Sequence, residues 1–227
     1  TGNVMIDARA LGEPGNVVIE DERHFDALCA WAAAATRHGT QCWVQLNHPG
    51  KQAPTGLNRE NVAPSVVPFR AEMKAFFPAP RELRDDEIHE IVARFGRAAG
   101  IVRRAGFSGV QIHGAHGYLV SQFLSPHHNR REDAWGGTPE KRRRFVLAVL
   151  AAIRSEVGPE FPIGIKLNSA DFQRGGFTEE DRKTIAADLR KRIVPSDYVA
   201  VNNDYVAYEM VKPGMVISVT PRHHTNV

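Results

Sequence analysis

Three residues near the middle of the chain are spaced for chemistry on an oxygen atom: His113, His116 and Tyr118. Two neutral imidazoles can grip one substrate oxygen as donors, and a phenol can act as an acid when a partner and an apolar wall position it. The H-x-x-H spacing can also begin a metal pair. Zinc wants three or four ligands, and the remaining donors are His127, His128, Asp133, His223 and His224. None of these has a recognised metal spacing, and H-E-x-x-H is absent, so no metal is expected. Without the histidines beside it, Tyr118 would read as an interfacial core tyrosine.

Lys166 stands in the apolar run Pro162–Leu167, PIGIKL. An ammonium pointing into a sheet-lined interior needs an anionic partner, because burying it alone is expensive. Gln45 and His48 close the run QCWVQL-N-H. Gln45 suits either strand-end backbone groups or a ligand edge. His48 reads as a packed, hydrogen-bonded loop histidine. Asn202-Asn203-Asp204 close a later run.

The elements that must position these residues alternate in period. Short strands are expected at Val4–Asp7, Gln41–Leu46, Gly109–His113, Pro162–Leu167 and Asp197–Val201. Helical spacing lies between them. Asp21 is expected to cap a helix running to Gly39, and Asp85 to open one ending near Gly106. A short helical stretch is expected at Tyr118–Leu124. Thr138-Pro139-Glu140 and Thr178 start two further helices. Residues 47–83 form a long, proline-rich loop, expected to carry an excursion such as a hairpin and to help cover the site. Several strands read as apolar on both faces, as in a covered parallel sheet. Strand–helix alternation leaves a doubly wound sheet or a (β/α)8 barrel. No glycine-rich phosphate loop of either standard spacing follows a strand, which weakens the first. In both folds ligands bind at the carboxyl ends of strands, where these polar residues lie.

Composition sets the class. The 227 residues are 42% hydrophobic and 24% charged, as in an ordinary globular chain. Net charge is +3. That permits an anionic ligand without demanding nucleic acid, and no nucleic-acid partner is expected. The basic run Lys141-Arg142-Arg143-Arg144 reads as a solvated helix face. No apolar run approaches the roughly 18 residues of a membrane span. Cys29 and Cys42 read as buried thiols of a reducing, cytoplasmic compartment.

The motifs share a frame. His113-Gly114-Ala115-His116-Gly117-Tyr118-Leu119, Gln122-Phe123-Leu124-Ser125-Pro126, Asn129, Arg131, Asp133, Trp135-Gly136-Gly137, Glu140, Arg142, Arg144 and Phe145 closely resemble the Old Yellow Enzyme family of FMN oxidoreductases. Gln45-Leu46-Asn47-His48-Pro49-Gly50-Lys51, Pro80-Arg81-Glu82-Leu83, Ile165–Asp171 and Gly175–Thr178 match it too. The resemblance is strongest to the NADH:flavin oxidoreductase branch and runs from Thr1 to about Arg190. Small departures are Trp135 for Tyr, Thr138 for Ser and Lys141 for Asn.

The resemblance implies a (β/α)8 TIM barrel with FMN across its carboxyl-end mouth. It implies that Gln45 bonds the flavin pyrimidine edge and that Lys166 stabilises the negative charge of reduced flavin. Gly2 would let the ring approach. His113 and His116 would hold the substrate carbonyl oxygen, and Tyr118 would protonate the α-carbon. The implied cycle is ping-pong: NADH or NADPH reduces the flavin, then an activated, enone-type alkene takes the hydride. A homo-oligomer is compatible with this frame.

The expected barrel is incomplete, with about five β/α units in a single domain over residues 1–227. The chain opens at Thr1 as if inside a strand, and residues 191–227 do not follow the pattern. The phosphate-holding glycine-rich loop and arginine find no match in Val194–Val227. The other implied reading is a non-catalytic relic or subunit that binds FMN weakly or not at all.

Overall fold

The structure, a computed structural model, describes residues 1–172, 174–191 and 198–202. In chain order the elements are β1 (Asn3–Met5), β2 (Val17–Val18), α1 (Phe25–Thr36), β3 (Trp43–Asn47), β4 (Val62–Ala63), β5 (Arg81–Glu82), α2 (Asp85–Arg104), β6 (Gly109–Gly114), α3 (Leu119–Leu124), α4 (Pro139–Val157), β7 (Ile163–Asn168), α5 (Glu179–Arg190) and β8 (Tyr198–Asn202). Six strands form one parallel sheet in the order β2-β1-β3-β6-β7-β8. From β1 onward each strand–helix unit places its strand on the same side of the last. That is the winding of a (β/α)8 barrel, whereas a doubly wound sheet reverses direction at a switch point. The described residues form part of such a barrel.

Strands β1, β3, β6 and β7 each turn an apolar face to the covering helices and a largely polar one the other way. Val4, Val44, Leu46, Val110, Ile112, Ile163, Ile165 and Leu167 are buried in one core with Phe95, Phe145, Val149 and Ile153 of the covering helices. Alternate positions point the other way. They are Asn3, Trp43, Gln45, Asn47, Gln111, His113, Lys166 and Asn168. This corrects the expectation of strands apolar on both faces: the run GVQIH is a strict alternation, with its polar set on the concave side. Low on that side Trp43 lies so close over Gly109 that an added Cβ would sit 2.5 Å from the indole. Only glycine allows that packing.

Local signals hold where a side chain meets its own helix start. The Thr138 hydroxyl accepts from Lys141 N–H at 3.3 Å, with Pro139 in the first turn. Thr178 and Asp181 form a reciprocal capping box. Asp21 does not cap α1. Its carboxylate accepts from the Arg23 backbone N–H at 3.0 Å, and the helix begins later, at Phe25. The 47–83 excursion holds no hairpin. Its strands β4 and β5 pair in parallel, because a long connection carries the chain back in the same direction.

The basic run is a solvated face only in part: Lys141 and Arg144 are exposed, but Arg142 and Arg143 are not. Arg142 is buried and donates to the carbonyls of Leu124 (3.2 Å) and Gly137 (3.3 Å). Arg143 pairs with Asp188 of α5 at 2.7 Å, and Arg144 lies 4.9 Å over the Trp135 ring. Tertiary partners turn three of the four cations inward or along the surface. Cys29 and Cys42 are free thiols and only half-buried, contrary to expectation, because both stand at the margin of the core.

Candidate functional site

The concave face of the sheet is polar and half-open. Parallel register sets its rows: Asn3 pairs with Gln45, Gln45 with Gln111, and His113 with Lys166. Asn3, Gln45, Gln111, Lys166 and Asn168 are all intermediate in exposure. Residues from four strands therefore meet on one accessible surface.

His113, His116 and Tyr118 are brought together. The His113 ring stands edge-on to the His116 ring at 5.0 Å and to the Tyr118 ring at 4.9 Å. His113 is buried, and burial, aided by the charges of His116 and Lys166, holds its pKa well below the ordinary value. It is neutral at pH 7. The Ala115 backbone N–H donates to Nδ1 at 3.3 Å, so the ring hydrogen sits on Nε2. Nε2 is then a donor. His116 is exposed and sits at φ 60°, a left-handed conformation costly for a residue with a Cβ. The Asn168 carboxamide of β7 stabilises that turn, accepting from the His116 N–H at 2.9 Å. Backbone strain held by a neighbouring strand is common at functional sites.

Tyr118 is half-buried and follows the turn. Burial pushes the phenol pKa up, and the Glu13 charge adds to that, while a hydrogen bond from Asn3 opposes it. The Asn3 carboxamide N–H donates to the phenol oxygen at 3.3 Å.

Lys166 is half-buried and meets no carboxylate among the described residues. Burial alone lowers its pKa. An ammonium with no anion of its own, facing a half-open surface, suits an anionic ligand. Gln45 Nε2 donates to Gln111 Oε1 at 2.5 Å, which leaves its own carbonyl free of that bond. At Gly2, an added Cβ would meet no atom within 4 Å. Protein packing, unlike at Gly109, does not require glycine there.

His48 lies off this surface. It is buried, its Nδ1 accepts from Gly50 N–H at 3.1 Å, and burial lowers its pKa to about 4. It is the packed loop histidine the sequence suggests. Asp133 is taken up by Arg131, and His128 Nδ1 lies 3.2 Å from Lys51 Nζ. Among the described residues no three His, Cys, Asp or Glu side chains could hold a metal ion. Asn203, Asp204, His223 and His224 lie outside the described residues.

Four residues of the face were given no role in the sequence: Asn3 and Gln111, and also Asn47 and Asn168, which stand inside matched motifs. For three of them the signal was available, since Asn47, Gln111 and Asn168 share strand parity with Gln45, His113 and Lys166 in their own strands. Asn47 is fully buried, and neither polar atom of its carboxamide has a partner among the described residues.

A family model described as "NADH:flavin oxidoreductase / NADH oxidase family" matches residues 1–213. That match runs past Arg190, further than the motifs do. The chain is 40% identical over 188 residues to the NADH-dependent flavin oxidoreductase iliE of Hypocrea jecorina, covering 75% of this chain and 47% of that protein. It is 35% identical over 212 residues to the NADPH dehydrogenase of Clostridium acetobutylicum, covering 91% of this chain and 60% of that one. The chain thus spans about half the length of these curated relatives. Among solved structures it is similar to morphinone reductase, with TM-score 0.78 and 28% identity over 93% of this chain and 60% of that one. An Old Yellow Enzyme homologue from Zymomonas mobilis gives TM-score 0.74 at 25% identity, over 90% of this chain and 68% of that one. On the family match and the shared barrel, the chain belongs to the NADH:flavin oxidoreductase / NADH oxidase family, among the relatives of Old Yellow Enzyme.

Proposed function

We propose that this chain is the core of an FMN-dependent NAD(P)H oxidoreductase that reduces the C=C bond of activated, enone-type alkenes. The observation that carries this reading is the constellation on the concave face. A neutral histidine donor, a second histidine and a phenol adjoin an ammonium that has no carboxylate partner among the described residues. The chain acts as one flavin-binding domain over residues 1–227. Its free thiols suit the reducing conditions of the cytoplasm.

The residues present fit the flavin ring. Gln45 and Lys166 are the groups that would hold its pyrimidine edge, and the open space at Gly2 would admit it. FMN, when bound, supplies the two-electron carrier between NAD(P)H and the alkene. The chain's own residues do the rest. Lys166 offers positive charge where negative charge collects. His113, through Nε2–H, and His116 hold the substrate carbonyl oxygen and lower the cost of charge there. Tyr118 gives its hydroxyl proton to the substrate α-carbon.

Purified chain supplemented with FMN is expected to retain a yellow colour on gel filtration and to bleach with NADH or NADPH without oxygen. A chain that stays colourless at saturating FMN would instead favour the non-catalytic reading. In the loaded protein, Tyr118→Phe is expected to slow alkene reduction by about 10²- to 10⁴-fold. Flavin reduction by NAD(P)H should hold near its original rate. Equal slowing of both half-reactions would contradict the acid role.

A further inference from the structure

Tyr118 is held by a side chain distant in sequence. Asn3 stands at the start of β1 and reaches the phenol from across the sheet, its Nδ2–H on the phenol oxygen at 3.3 Å. Strand register makes this possible, because Asn3, Gln45 and Gln111 form one row on the concave face. Gln45 and Gln111 bond to each other along that row, and Asn3 at its end turns to the phenol. Asn3 belongs to none of the motifs that mark the site.

We propose that Asn3 is a positioning residue for Tyr118, aiming the phenolic hydrogen at the substrate and steadying the oxygen once that hydrogen has left. This rests on the acid role of Tyr118 given above. A phenol oxygen carries one hydrogen and accepts through its lone pairs. With the Asn3 N–H on a lone pair, the O–H bond points away from Asn3. Proton transfer breaks that O–H bond and forms a C–H bond at the substrate α-carbon. The electron pair left on oxygen makes it a phenolate. The same Asn3 N–H then donates to an anion, and such charge-assisted bonds are about twice as strong as neutral ones. Asn3 therefore favours the state after transfer over the state before it, which is the requirement for lowering a barrier. The titratable groups facing the phenol are His113, edge-on from β6, and Glu13 from the loop after β1. Glu13 works against the phenolate, and so does burial. Asn3 is the side chain that opposes them.

The test starts with the chain free of flavin. Ring-labelled tyrosine is titrated by NMR, with Tyr118 assigned by its absence in Tyr118→Phe. Asn3→Leu keeps the size and removes the donor. It should raise the Tyr118 titration midpoint by about one pH unit. Asn3→Asp, which adds a negative charge, should raise it further. Circular dichroism checks that both variants fold. With FMN loaded, Asn3→Leu should slow alkene reduction about tenfold, as expected for one lost hydrogen bond to a charged group. Flavin reduction by NAD(P)H should be unaffected. An unmoved Tyr118 midpoint in both variants, or equal slowing of the two half-reactions, overturns the proposal. The arms also separate the two readings. If Tyr118→Phe slows alkene reduction and Asn3→Leu moves nothing, only the Asn3 role fails. If Asn3→Leu moves the midpoint but Tyr118→Phe leaves the alkene step intact, the acid role fails and takes the proposal with it.

Discussion

Basic side chains in two regions of this molecule have opposite fates. On the rim, Arg131 is buried and fully engaged. It pairs with Asp133 at 2.6 Å and Glu82 at 3.2 Å, and donates to the carbonyls of Pro64 (3.0 Å) and Leu83 (2.7 Å). On the concave face, Lys166 is half-buried with no carboxylate among the described residues. His113 is kept neutral by burial. Arg131 spends its charge tying the 47–83 excursion to the segment before α4. Lys166 keeps its charge available. Residue type alone does not assign the role; the partners supplied by the fold do.

Breaking each region should read out in a different quantity. The largest effect is expected from Arg131→Met. It leaves the carbonyls of Pro64 and Leu83 without their donor and frees two half-exposed carboxylates, and should cost about 3–5 kcal/mol. Urea unfolding measures it, and a loss below 1 kcal/mol would mean that the rim network is dispensable. Acid should act next, through His48. Unfolded, it takes up a proton near pH 6.5; folded, burial delays that to about pH 4. Between those values the unfolded state binds more protons, so stability is full above pH 6.5 and falls as pH drops toward 4. The loss is of order 3 kcal/mol by pH 4. His48→Gln should flatten this dependence, and an unchanged pH profile of unfolding would remove His48 as its source. The smallest effect on stability belongs to the concave face. Lys166→Met should leave unfolding within about 1 kcal/mol of the parent, since Lys166 has no ion pair among the described residues to lose. Its FMN affinity should instead fall at least about tenfold, the order of one charge-assisted bond. Flavin fluorescence titration checks this. A large loss of stability with unchanged FMN binding would erase the contrast between the regions.

Much of this was legible in the sequence. The strands carrying Gln45, His113 and Lys166 lie where their apolar runs put them, and helix starts at Thr138 and Thr178 were readable because a cap acts within one turn. Asp21 misled because an Asx-type turn with Arg23 uses the same side chain without starting a helix. Arg142, Arg143 and Arg144 misled for a different reason. A run of cations on a helix looks solvated until Leu124, Asp188 and Trp135 are brought against it from other elements. Lys51 was silent, although its ammonium is buried against Phe69 and the Val67 carbonyl at 2.9 Å.

By itself the sequence determined the order of strands and helices, the facing of each strand residue and the grouping of His113, His116 and Tyr118. These follow from chain spacing, since periods of two and 3.6 act over a few residues. Only the tertiary structure decided which charges are consumed and which remain available. It also decided the meeting of Asn3 with Tyr118 across the sheet. Those depend on strand register, which sets neighbours a hundred residues apart and is written in no local pattern.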